Sequence, residues 1–183
     1  MKTAQNRKKL QSDNVFQLKA EKNPANDPLK ECTTNINQHV KECISSCKKP
    51  ESGEKFFQAE KRIIQAAYHF GILLLQLYLV SAHKRVDYDR WLKDGKYYLN
   101  TVLRFRTIKT FFGEVSYGRY YLSRRDGEGG GIFPLDKELS LTRDGFSPLV
   151  ISLATVLTTR MSFNNAYNLF KRFCFWAPST EAI

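Results

Sequence analysis

The residues of this sequence best equipped for metal or nucleophile chemistry are four cysteines, Cys32, Cys43, Cys47 and Cys174, and three histidines, His39, His69 and His83. Cys43 and Cys47, with Cys32 and His39 nearby, are separated by three residues, one helical turn, whereas most zinc knuckles use a separation of two. They read as free thiols in a reducing compartment, and neither metal nor cofactor is expected. None of the histidines stands in a pattern with a serine, cysteine or carboxylate that would make a nucleophile and its base, so no catalytic residue is expected. The glycine run Asp126-Gly-Glu-Gly-Gly-Gly131 lacks the Gly-Lys-Ser/Thr ending of a phosphate loop, and it does not lead a strand directly into a helix. It reads as a flexible connector. Asp136, Glu138 and Asp144 are not distributed over strands as a three-acid metal site requires, and they read as solvated surface and a helix-start signal.

Charge points elsewhere. The chain carries 29 Lys and Arg against 18 Asp and Glu, a formal net charge of +11 over 183 residues. Such an excess fits a polyanionic partner, whether DNA, RNA or an acidic membrane surface. The candidate contacts cluster where the sequence is also aromatic: Arg104, Arg106 and Lys109 in one segment, Arg119 in the next, then Arg124 and Arg125, with Tyr117 and Tyr121 between them.

Those segments must be positioned by secondary structure, and the sequence predicts an α+β fold. Residues 1–54 form a polar, weakly ordered arm punctuated by breakers at 23–28 and 48–53, with a short helix allowed around 35–47. Residues 55–100 are helical, with a long amphipathic helix over 56–83 and a polar second segment around 88–98. Residues 101–136 hold a β-hairpin and the Gly-rich connector. Its strands, 102–110 and 114–122, are rich in β-branched and aromatic residues and flank Phe111-Phe112-Gly113. Side chains alternate along a strand, so Arg104 and Arg106 share a face, as do Val115, Tyr117, Arg119 and Tyr121, giving a basic and aromatic sheet surface. Residues 137–183 are helical and resemble a helix-turn-helix. Ser147-Pro148 starts one helix and Ser162 a second, while Ser179 would cap a third that is incomplete at Ile183.

The run 63–80 reaches the lower edge of membrane-spanning length. At 100° per residue, however, Gln58, Arg62, Gln65, His69, Gln76 and His83 form one narrow polar stripe, as expected of a helix buried on most sides in a bundle or dimer. No membrane partner is expected. Self-association through the 56–83 helix is.

One resemblance follows from the order of motifs. Thr107-Ile-Lys-Thr-Phe-Phe-Gly-Glu-Val-Ser-Tyr-Gly-Arg-Tyr-Tyr121, then Phe133-Pro-Leu-Asp-Lys-Glu-Leu139, then Met161-Ser-Phe-Asn-Asn-Ala-Tyr-Asn-Leu169, then Ser179, resembles the N-terminal region of bacterial insertion-sequence transposases of the DDE class. It covers about residues 56–183. Many relatives carry a Cys-x-x-Cys pair between the tyrosines and Pro-Leu-Asp, where this sequence has Ser123, Arg124, Arg125 and Asp126, so no zinc knuckle is expected here. The resemblance implies DNA binding at element ends, in the cytoplasm with the nucleoid. Cutting and joining would belong to an RNase H-like domain beyond Ile183, so this truncated chain is expected not to be an enzyme. Lys171, Arg172, Ser179 and Thr180 become candidates for phosphate or groove contact, because helix-turn-helix modules present the N-terminus of a recognition helix to the bases. The alternative expectation is a helical oligomerisation or interaction protein with no DNA role. Salt dependence separates the two.

Overall fold

A computed structural model of the chain describes residues 27–49, 53–126, 130–174 and 176. The fold is α+β, built on two long helices, a β-hairpin and a C-terminal helical pair.

Helix α1, Pro28–Lys48, begins where Asp27 Oδ1 accepts the Leu29 N–H at 3.2 Å, with proline in the first turn. The Asp-Pro pair that reads as a breaker is thus a helix start, since a carboxylate cap satisfies an orphan N–H and proline loses nothing there. The expected weakly ordered arm is therefore a 21-residue helix over this stretch, and its first 26 residues lie outside the described ones. Helix α2, Phe56–Arg85, runs antiparallel to α1. Three contacts fix that pairing: Lys84 Nζ to Asp27 Oδ1 at 2.6 Å, His39 Nε2 to the Ala66 carbonyl at 2.9 Å, and Arg62 to Ser46.

By length and composition α2 could cross a membrane. Most of its polar stripe is engaged by the protein itself, while Gln65 is exposed. Arg62 pairs with Glu54 at 3.0 Å, His69 meets the His39 ring edge-on, Gln76 is buried, and His83 lies against Tyr88 and Tyr120. The expectation of burial on most sides fails on the opposite flank, where Phe56, Phe57, Ile63, Ile64, Leu74 and Tyr78 are exposed.

The short helix α3, Tyr88–Leu92, ends earlier than expected, and Tyr97 and Tyr98 belong to the sheet. Strands β1, Tyr97–Thr110, and β2, Gly113–Arg124, pair antiparallel around Phe111-Phe112, with a register shift between Asn100 and Arg104. The turn is anchored on α2: a Cβ at Gly71 would meet the Phe112 ring at 2.6 Å, so only glycine lets the ring lie this close. Ile108, Val115 and Tyr117 from the hairpin form the main core with Ile72, Leu79, Val86 and Leu135.

Both hairpin edges are clasped by later segments. Lys109 donates to the Gly145 carbonyl at 2.7 Å and accepts from Ser147 N–H at 2.9 Å, while Leu122 and Ile132 exchange two backbone bonds at 2.8 and 2.9 Å. Gly131 is essential to the second clasp, because a Cβ there would lie 1.8 Å from the Leu122 oxygen. The glycine run thus ends in a strand contact; residues 127–129 within it lie outside the described ones.

Helix α4, Pro134–Glu138, carries the Pro-Leu-Asp element. Helices α5, Pro148–Arg160, and α6, Phe163–Phe173, start at the serines expected to cap them, Ser147 accepting from Val150 N–H and Ser162 from Asn165 N–H, both at 3.4 Å. Val150, Phe170 and Cys174 form a second core that reaches the hairpin turn through Phe111.

Candidate nucleic-acid interface

The register decides what the basic hairpin can do. Arg104 stands opposite Arg119 and Arg106 opposite Tyr117, so directly paired residues place both expected sets on one sheet face. That face turns inward. Val115 and Tyr117 are fully buried against α2 and α4, and the arginines beside them are drawn in with them.

Asp136, at the heart of the Pro-Leu-Asp element, receives them. Tyr117 Oη donates to its Oδ1 at 2.7 Å, Arg106 Nη1 donates to its Oδ2 at 2.9 Å, and Arg119 forms a further ion pair with Oδ2. Arg106 also donates to the Thr142 carbonyl, and the Arg119 guanidinium lies 3.5 Å above the centre of the Phe133 ring. Burial, outweighing other influences, lowers the pKa of Arg119 to about 10, and burial likewise raises the Tyr117 phenol. Two expectations are corrected here. Asp136 is buried rather than solvated, and Arg106 and Arg119 are bound to it rather than presented to a ligand, because two guanidiniums with little access to water need a fixed counter-charge.

The remaining candidates among the described residues are exposed, and they fall into separate groups. Arg104 is exposed with its guanidinium 4.4 Å from the Tyr121 ring centre, a cation held over an aromatic face. Arg124 and Arg125 lie at the open end of the hairpin, Arg124 paired with Asp126 and the Arg125 N–H bonded to the Lys96 carbonyl at 2.9 Å. Lys93 and Lys96 are exposed in the loop entering β1, so this end gathers four basic residues missed as a group by strand periodicity. Lys109 is exposed near the turn end, 5.8 Å from the Phe146 ring centre and opposite Glu114 across the sheet. Lys171 and Arg172 are exposed on α6, which packs near the same turn end. At about 3.4 Å per residue, the 12-residue β2 sets its open end, with Arg124 and Arg125, roughly 37 Å from its turn end. Ser179 and Thr180 lie outside the described residues.

Cys43, Cys47 and His39, on α1, stand apart from this surface. Cys43 Sγ lies 3.4 Å from His39 Nε2 on α1, and Cys47 is exposed a turn later. Among the described residues no group of three or more His, Cys, Asp or Glu side chains is arranged to hold a metal ion.

Comparison with protein-family models, with curated proteins and with solved structures finds no match to this chain.

Proposed function

We propose that this chain binds duplex DNA, as the DNA-binding part of a transposase of the DDE class acting at the nucleoid, and contributes binding rather than bond cleavage. The observation that supports this best is the placement of Arg104, Arg124 and Arg125 on exposed positions of one hairpin, with Lys93 and Lys96 beside its open end, in a chain of net charge +11. Such a surface meets phosphates, which position a protein on the duplex without reading its sequence. The order of the Thr107–Tyr121, Phe133–Leu139 and Met161–Leu169 motifs supplies the link to transposition.

Fluorescence anisotropy of a labelled mixed-sequence duplex, titrated across salt concentrations, tests the proposal. With about four to six phosphates neutralised, log K falls against log salt with a slope of roughly −4 to −5. Absence of binding at low salt, or affinity indifferent to salt, overturns it. The exposed apolar flank of α2 favours a second reading, an interaction protein whose contacts strengthen rather than weaken in salting-out conditions.

A further inference from the structure

We propose that the exposed flank of α2 is the interface of a two-fold dimer, in which the α2 helices of two copies pack antiparallel and Phe57 of each copy enters a cavity on the other. The proposal is independent of DNA binding.

The flank has the form of a helix-pairing surface. Phe56, Ile63, Ala67, Leu74 and Tyr78 follow one another at intervals of seven, four, seven and four residues. This 11-residue repeat, about 3.67 residues per turn, keeps the stripe almost parallel to the helix axis over roughly 33 Å. Phe57 and Ile64 widen it on one side. Phe56 is 84% and Phe57 73% exposed, values far from those of aromatic residues that fill a monomer's own core. With aromatic side chains of about 150–250 Å² each, the stripe offers on the order of 700 Å² of apolar surface, near the ~800 Å² that each partner contributes to a standard interface and above the usual largest patch on a monomer.

The other half of the contact lies at the far end of the same stripe. A cavity of about 230 Å³ opens between Leu75, Tyr78, Phe111, Phe112, Leu141 and Leu149, and Leu149 and Tyr78 are exposed at its edge. Protruding aromatics at one end and an apolar cavity at the other make the surface self-complementary, the condition for an isologous contact. A two-fold axis perpendicular to the paired helices brings the same flank of each into contact. At 100° per residue, Phe57 and Leu75 share an angular position on α2, so Phe57 of one copy arrives on the side where the other's cavity opens.

Charge selects the direction and the occupant. Glu60 lies within the stripe near its start, and Arg85 lies on the same side at its end. A parallel pair would set Glu60 against Glu60, whereas an antiparallel pair sends each Glu60 toward the half of the partner that ends in Arg85. A lipid surface would leave Glu60 facing hydrocarbon.

The test uses the full chain. Light scattering behind size-exclusion chromatography is expected to give twice the 21.2 kDa chain mass, falling toward one chain on dilution. Phe56→Ser with Phe57→Ser should weaken the dimer by about 30-fold or more, as loss of aromatic anchors does, while circular dichroism stays unchanged because both residues are exposed. In a Cys43→Ser, Cys47→Ser background, a chain carrying Phe57→Cys mixed with one carrying Leu75→Cys should form a mixed disulfide under oxidation, and neither should cross-link with itself. A monomer at every concentration, a dimer indifferent to the double substitution, or self-cross-linking through position 57 overturns the proposal. So does a monomer that floats with phosphatidylcholine vesicles.

Discussion

Tyr117 and Asp136, on the hairpin and on α4, meet in a 2.7 Å hydrogen bond at the centre of the fold, and the same carboxylate forms ion pairs with two arginines. Asp136→Asn keeps the shape and removes the charge, leaving Arg106 and Arg119 without their counter-ion. Breaking a buried pair in this way costs about 3–5 kcal/mol. Urea denaturation is expected to show a much lower midpoint at an unchanged slope. Tyr117→Phe removes one hydrogen bond while the arginines still serve the carboxylate, and it should cost about 1–2 kcal/mol.

The split between buried and exposed arginines gives a prediction for DNA. Replacing Arg104, Arg124 and Arg125 together by Ala should lower affinity for every duplex and reduce the magnitude of the salt slope by about 2–3, close to one for each phosphate that is no longer neutralised. The same measurement on Lys171→Ala with Arg172→Ala reports whether α6 also meets the duplex. A triple variant that binds as tightly as the parent at all salt concentrations would place the interface elsewhere.

Gly131→Ala should destabilise the protein by about 1–3 kcal/mol, the range for forcing atoms into filled space. The added methyl would collide with the Leu122 carbonyl, so the two backbone bonds between residues 122 and 132 must open. Amide exchange is the sharper readout: Leu122 and Ile132 should lose protection in the variant while Val115 keeps it.

Acid is expected to weaken the fold through its histidines. Burial lowers the pKa of His83 and His69 below the ordinary value near 6.5, with His39 adding to the effect at His69. The unfolded chain then binds protons more readily than the folded one. The stabilisation is complete above about pH 6.5 and is lost as pH falls toward the folded values. Urea midpoints measured between pH 8 and pH 5 should fall only in the acidic half of that range. His83→Gln should flatten the profile.

Local signals were legible and long-range ones were not. Ser147-Pro148 and Ser162 announce α5 and α6 because a cap and its first turn are adjacent in sequence. Asp27-Pro28 carries the same chemistry, yet the helix after it has few buried residues, so no apolar period reveals it. For the hairpin, period-two alternation shows that Arg104 shares a face with Arg106, and Tyr117 with Arg119. It does not show that α4 covers that face, since this depends on Asp136 returning from far along the chain. The polar stripe on α2 was legible, but which flank the protein covers with its own residues was not. Polar groups there found partners on α1, and the apolar flank was left outside.

The two clasps on the hairpin also bear on how the chain must be made. A two-stranded ribbon has an open edge on each side, and open edges recruit other strands. Here those edges are closed by residue 132 on one side and residues 145–147 on the other, both synthesised after the ribbon itself. During translation a nascent chain therefore passes through an interval in which β1 and β2 exist without their guards. In that interval the ribbon's edges are open to pairing with strands of other chains.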